Sequence, residues 1–197
     1  MVQADAHALR SRVLERLNGR SVALVGLMGA GKTTVGKRLA QVLELPFCDT
    51  DDEIESAARM SVPELFEAYG EPEFRALEER VIARIVEGGQ MIVSTGGGAY
   101  MSAATREALS RHAVVVWLKA DLDILMERVR RRSNRPLLKA PDPEAVMRAL
   151  MEKRHPIYAL ADITVSSRPV RREVIAQDIM ERLAGEPASP EAVSHAD

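Results

Sequence analysis

Cysteine is almost missing from this chain: Cys48 is the only one in 197 residues, which excludes an internal disulfide framework. The four histidines are scattered and offer no metal-ligand spacing. Apolar runs such as Ala113–Leu118 are far too short to span a bilayer. No charge dominates either, since 27 Lys and Arg face 29 Asp and Glu for a net of -2. Without a global basic field, binding to nucleic acid by electrostatics alone is not expected. The first 20 residues carry charges throughout and lack the apolar core of a signal peptide. The expectation is a cytoplasmic protein with no membrane partner, and nothing in it demands more than a monomer.

What is present is the profile of a globular domain, 46% hydrophobic and 28% charged in 21.7 kDa. Of the 27 cations, 22 are Arg. Genomic composition can produce that bias, but Arg also suits bidentate capture of carboxylates and phosphates.

Leu9, Val13, Leu14 and Leu17 recur at helical spacing and predict a helix over 5–18. The compact apolar run at 21–26 reads as a buried strand, 113–118 is the most strand-like segment, and 46–51, 91–95 and 163–167 read as further strands. Helical patterns fall at 33–45, from a Ser61/Glu64 capping box to Tyr69, from Pro72 to Gly88, at 102–110, from Asp121 to about Arg132, from Asp142 to near His155-Pro156, and at 170–184. Breakers at 133–141 mark a cationic loop, and residues 185–197 form a polar tail expected to be mobile. Strands alternate with helices, so the fold class is α/β, with a mostly parallel sheet covered on both faces.

Between the first strand and its helix stands Gly26-Leu-Met-Gly29-Ala30-Gly31-Lys32-Thr33, which fits G-x-x-x-x-G-K-[ST]. Glycines there let backbone N–H groups converge on phosphate oxygens at a helix N-terminus. Lys32 reaches the β/γ-phosphates and the Thr33 hydroxyl ligates magnesium. The bland alternative, a tight turn that happens to hold Gly and Lys, does not account for the flanking elements. The chain is read as binding a nucleoside triphosphate. It has no guanine-reading N-K-x-D, and Glu87-Gly-Gly-Gln90 only echoes an ABC signature. A small kinase is the economical reading, needing a phosphate cradle, an acceptor pocket and a lid.

Three features offer the acceptor pocket. Asp49-Thr50-Asp51-Asp52 ends the second strand, where ligands of open α/β sheets sit. These carboxylates can hold magnesium through water or orient an acceptor hydroxyl, or simply cap the next helix. Gly96-Gly97-Gly98 can present backbone N–H groups or merely turn the chain. Among the arginines, Arg75 can grip a ligand or form a surface ion pair, and Arg131 and Arg132 can be a solvated helix end. Arg135, in the loop before Pro136, is placed to cover phosphates and stabilise transferring charge.

GLMGAGKTTVGKRLA at 26–40, D-T-D at 49–51, G-E-x-E-F-R at 70–75, T-G-G-G-A at 95–99, R-P-L-L at 135–138 and K-R-x-P-x-Y at 153–158 together resemble the shikimate kinase family of P-loop kinases, from about Val22 to Leu183. Six motifs in order are specific. The resemblance implies a P-loop NTPase fold like that of nucleoside monophosphate kinases, three-layer α/β/α, with a five-stranded parallel sheet ordered 2-3-1-4-5. It implies transfer of the ATP γ-phosphoryl group to the 3-hydroxyl of shikimate, giving shikimate 3-phosphate and ADP. On the same basis Gly29, Ala30, Gly31, Lys32, Thr33 and Thr34 hold ATP with Mg2+. Asp51 binds the shikimate hydroxyls and orients or deprotonates the acceptor, Asp49 acts near magnesium through water, and Arg75 and Arg154 grip the carboxylate. Gly97 contacts the ligand through backbone, and Arg135 is the lid arginine. A lid at about 132–141 is shorter than in many relatives, and Arg130, Arg131, Arg132, Arg168 and Arg171 all remain candidates for the adenine contact. Residues 1–20, a helical extension, and the tail from 185 lie outside the resemblance. The rival readings are another small-molecule kinase such as a gluconate kinase, a non-catalytic ATP-binding regulator, and an adenylate-kinase-like enzyme. The Arg75/Arg154 pair, intact Lys32 and Asp51, and the short lid weigh against them in turn.

Overall fold

Val22, Ala23, Leu24 and Val25 are all fully buried, as a strand covered on both faces requires. In the computed structural model, which describes residues 2–131 and 140–185, they belong to β1 (Ser21–Val25) at the centre of the sheet. β3 (Ile92–Ser94) and β4 (Ala113–Lys119) flank it, and β2 (Phe47–Asp49) and β5 (Ile163–Ser166) form the edges. Every pairing is parallel, and the order is β2-β3-β1-β4-β5. The edge strands are only partly buried, in keeping with their mixed sequences. This is the three-layer α/β/α sheet order that the resemblance implies.

Helices are α1 (Val2–Leu17), α2 (Lys32–Leu43), α3 (Thr50–Ala58), α4 (Val62–Glu87), α5 (Ala103–His112), α6 (Leu122–Arg130), α7 (Pro143–Tyr158) and α8 (Arg172–Leu183). α1, α2 and α8 pack on one another, and α4 packs on α3 and α5. Leu9, Val13 and Leu17 carry α1 into the common core, and Arg10 Nε donates to the Leu43 carbonyl at the end of α2.

Several boundaries differ from the sequence reading for identifiable reasons. The second strand stops at Asp49, because Asp49 caps α3 by accepting the Asp51 N–H at 3.2 Å. The two helices predicted on either side of residue 70 are both present, as the two halves of α4, separated by a kink at Gly70, whose φ of 79 is glycine's own region. The capping box at its start is formed, with Ser61 N–H donating to Glu64 at 2.7 Å. α7 does not end at His155-Pro156 but continues to Tyr158. Pro156 lies in the last turn and costs the helix the N–H bond to the Glu152 carbonyl, with only two residues left to run. Arg154 and Tyr158, four residues apart, therefore share one helix face. Arg132, Arg135 and most of the expected lid lie outside the described residues, as does the tail beyond 185.

Candidate active site

The loop from Gly26 leaves β1 and enters α2 at Gly31, whose φ of 94 is a left-handed turn that only glycine adopts cheaply. No side chain caps α2, so its first N–H groups are left to a ligand, and the helix dipole favours an anion there. Lys32 Nζ donates to the carbonyls of Gly26 at 2.8 Å and Leu27 at 3.0 Å, which keeps the ammonium over the loop.

Thr33 Oγ1 donates to Asp49 Oδ2 at 2.8 Å and lies 3.4 Å from Ser94 Oγ. Asp49 thus caps α3 with one oxygen, as the capping reading has it, and turns the other to Thr33 of the phosphate loop. A hydroxyl and a carboxylate side by side are hard oxygen donors of the kind magnesium takes when it keeps most of its water. Among the described residues no group of three or more His, Cys, Asp or Glu forms a cage for a metal. The donor set fits an ion delivered with a phosphate better than one resident in the protein.

Gly96 lies between two acids. A Cβ there would stand 2.8 Å from both Asp51 Oδ1 and Glu78 Oε1. Glu78 is 2% exposed and accepts from Arg75 Nη1 at 2.6 Å. Burial pushes its carboxyl pKa up, with Asp51 and Glu79 adding to the effect and Arg75 opposing it. Arg75 also meets Glu71 at 3.2 Å and lies over the Phe74 and Phe66 rings. Burial works against its charge, yet the bonds to Glu78 and Glu71 raise its pKa on balance. Its guanidinium is packed onto Gly98.

Arg154 reaches the neighbouring glycine: Nη1 donates to the Gly97 carbonyl at 3.0 Å, and the Tyr158 hydroxyl donates to the same oxygen. Tyr158 is buried, and its hydroxyl pKa is pushed up to about 12, so it stays a donor at any physiological pH. Arg75 and Arg154, remote in sequence, thus meet on adjacent glycines beside Asp51.

A cleft of about 770 Å³ runs from Asp51 and Gly97, past Gly29, Gly31, Lys32, Thr33 and Thr34, to Val170 and Ile175. Arg154 borders it through the Gly97 carbonyl, whereas Arg75 and the Gly98 on which it packs lie outside the lining. Ala30 is buried in the loop, with its carbonyl accepting from Ser167.

The guanidinium that the structure brings to this loop is Arg128, which the sequence reading passes over. Its Nη1 bonds Ser167 Oγ at 2.8 Å and the Gly29 carbonyl at 3.3 Å. Of the five arginines that are candidates for adenine, Arg131 and Arg171 line the cleft while pairing with Glu127 and, at 3.5 Å, with Glu173; Arg130 is exposed and Arg168 pairs with Asp178 at 3.0 Å. Arg132 is outside the described residues. Glu78 also escapes a reading by motif, although a signal exists: it falls on the inner stripe of α4 with Phe74, Val81 and Ile85. A carboxylate on an apolar stripe needs a partner.

A shikimate kinase family profile matches residues 28–184. The chain is 58% identical over 171 residues to a shikimate kinase of Mesorhizobium japonicum, covering 87% of this chain and 84% of that one. It is 50% identical to one from Brucella canis, covering 98% of this chain and 96% of the relative. Among solved structures, a shikimate kinase from Acinetobacter baumannii in complex with shikimate is 36% identical with a TM-score of 0.80, over 84% of this chain and 93% of that one. A gluconokinase from Sinorhizobium meliloti, at 17% identity and TM-score 0.55, shares the fold alone. With a phosphate loop, two arginines on adjacent glycines and a match along nearly its whole length, this chain belongs to the shikimate kinase family.

Proposed function

We propose that this protein transfers the γ-phosphoryl group of ATP to the 3-hydroxyl of shikimate, and that the residues of the cleft divide the work as follows. The N–H groups of Gly29, Gly31, Lys32 and Thr33 hold the β-phosphate against the N-terminus of α2. Lys32 exchanges its loop carbonyls for phosphate oxygens and offsets their charge. Thr33 would ligate Mg2+ directly and Asp49 through water. When bound, the ion neutralises charge on the β- and γ-phosphates.

Arg75 and Arg154 clamp the acceptor's carboxylate, each held from behind, Arg75 by Glu78 and Arg154 by the Gly97 carbonyl. Asp51 receives the hydroxyl groups and orients the acceptor oxygen. As the new O–P bond forms, the hydroxyl proton passes to Asp51, and the bond to the leaving ADP oxygen breaks. The base end of the nucleotide faces Arg128, Val170 and Ile175 at the opposite end of the cleft. Arg135, carried over from the family pattern, reaches the phosphates from the lid.

The observation that carries this reading is the meeting of Arg75 and Arg154 on Gly98 and Gly97, beside Asp51 and along the cleft from Lys32. A small anionic polyol asks for that pairing; gluconate is one as well, so the choice of shikimate between them rests on the family match. A coupled assay of ADP release with Mg-ATP, run in parallel with shikimate and gluconate, tests it. Turnover with shikimate alone is expected. ATP binding without shikimate-dependent turnover would leave the phosphate loop and remove the acceptor.

A further inference from the structure

Ser167 follows β5 and is 3% exposed. Its hydroxyl donates to the Ala30 carbonyl at 2.7 Å and accepts from Arg128 Nη1 at 2.8 Å. Both directions are fixed, because a carbonyl only accepts and a guanidinium only donates. The Ser167 N–H bonds the Lys119 carbonyl at 2.6 Å, which anchors the residue to the end of β4. Arg128 Nη2 in turn bonds the Arg168 carbonyl at 2.8 Å. One hydroxyl therefore joins three segments distant in sequence: the phosphate loop, helix α6 and the turn between β5 and α8.

The Ala30 carbonyl and the Gly31 N–H belong to one planar trans peptide and point in opposite directions. Holding the carbonyl toward Ser167 thus holds the Gly31 N–H away from it. That N–H is among those at the start of α2 that no side chain caps, where a phosphate would bind. A loop rich in glycine does not fix this peptide plane by itself, since glycine rotates freely on either side of φ zero.

We propose that Ser167 is a positioning residue for the nucleotide, setting the Ala30–Gly31 peptide and holding Arg128 against the cleft. The inference rests on the reading that the cleft takes a nucleoside triphosphate. Ser167 acts through Ala30 and Arg128, and its partners lie at the nucleotide end, whereas Asp51, Arg75 and Arg154 gather around the glycine turn.

The test is Ser167→Ala in the full chain, with Mg-ADP binding measured by calorimetry alongside steady-state kinetics. The dissociation constant for ADP and the KM for ATP should rise about five- to tenfold, the size expected for one buried hydrogen bond. The KM for shikimate should stay within about twofold. Ser167→Thr, which keeps the hydroxyl, should restore most of the affinity. If its extra methyl prevents folding, Ser167→Cys keeps the volume with a weaker donor and should fall between Ser and Ala. ADP binding by Ser167→Ala within about twofold of the wild type overturns the proposal. So does equal weakening of both substrates, the mark of a merely loosened fold. A wild-type protein that fails to bind ADP removes the nucleotide reading itself.

Discussion

Arg75 occupies the space that a side chain on residue 98 would need: a Cβ there would stand 2.7 Å from Arg75 Cζ. The guanidinium lies flat against backbone, with Glu78 and Glu71 holding its other edges. Gly98→Ala should push Arg75 off this seat while leaving the phosphate loop untouched. The KM for shikimate is expected to rise about tenfold or more, with ADP affinity unchanged, as steady-state kinetics and calorimetry would show. An unchanged KM would mean that Arg75 does not bind the acceptor.

Lys32→Ala removes the ammonium that bonds the Gly26 and Leu27 carbonyls. Turnover should fall by orders of magnitude, about a thousandfold or more, while circular dichroism reports an intact fold. A near-normal kcat would take the phosphate loop out of the reaction.

Asp51→Asn keeps the size and the place of the side chain beside Gly96 but loses its charge. Nucleotide binding should persist and phosphorylation of shikimate should be lost. Retained activity would assign the orienting role to another group.

Glu78→Gln separates the two consequences of a buried acid. The folded-state pKa of Glu78 is raised above 4.5, so the folded protein binds its proton more tightly than the unfolded chain does. Wild-type stability from this group is present at low pH and is lost as pH rises from 4.5 through the folded value. The difference in Tm between Gln variant and wild type should therefore move in favour of the variant as pH rises through that window. The KM for shikimate should rise as Arg75 loses its strongest partner. A Tm difference moving the other way would show that the ion pair outweighs burial.

The central strands are legible in the sequence because continuous apolar runs leave few alternatives, and β1, β3 and β4 fall where those runs are. The phosphate loop is legible because its parts are neighbours in sequence. α7 is misjudged because Pro156 reads as a stop, whereas the helix gives up one N–H bond there and runs on to the buried Tyr158. Arg75 and Arg154 are paired by a family's order of motifs, not by anything in their spacing, and only the fold brings them to Gly98 and Gly97. The supports of the site are least legible. Ser167 and Ala30 are 137 residues apart and Tyr158 and Gly97 are 61 apart, and contacts that remote leave no local pattern.

The packing of α1 has a consequence for how the chain is made. Its buried residues lie against α8 as well as α2, so α1 finds one of its two neighbours only after the whole sheet between them has been synthesised. Until then Leu9, Val13 and Leu17 have an incomplete seat, and closing the gap brings together two helices far apart in sequence, a slow step. During that interval the nascent protein presents an amphipathic segment of the kind that chaperones hold, and a truncation within α8 would leave it exposed for good.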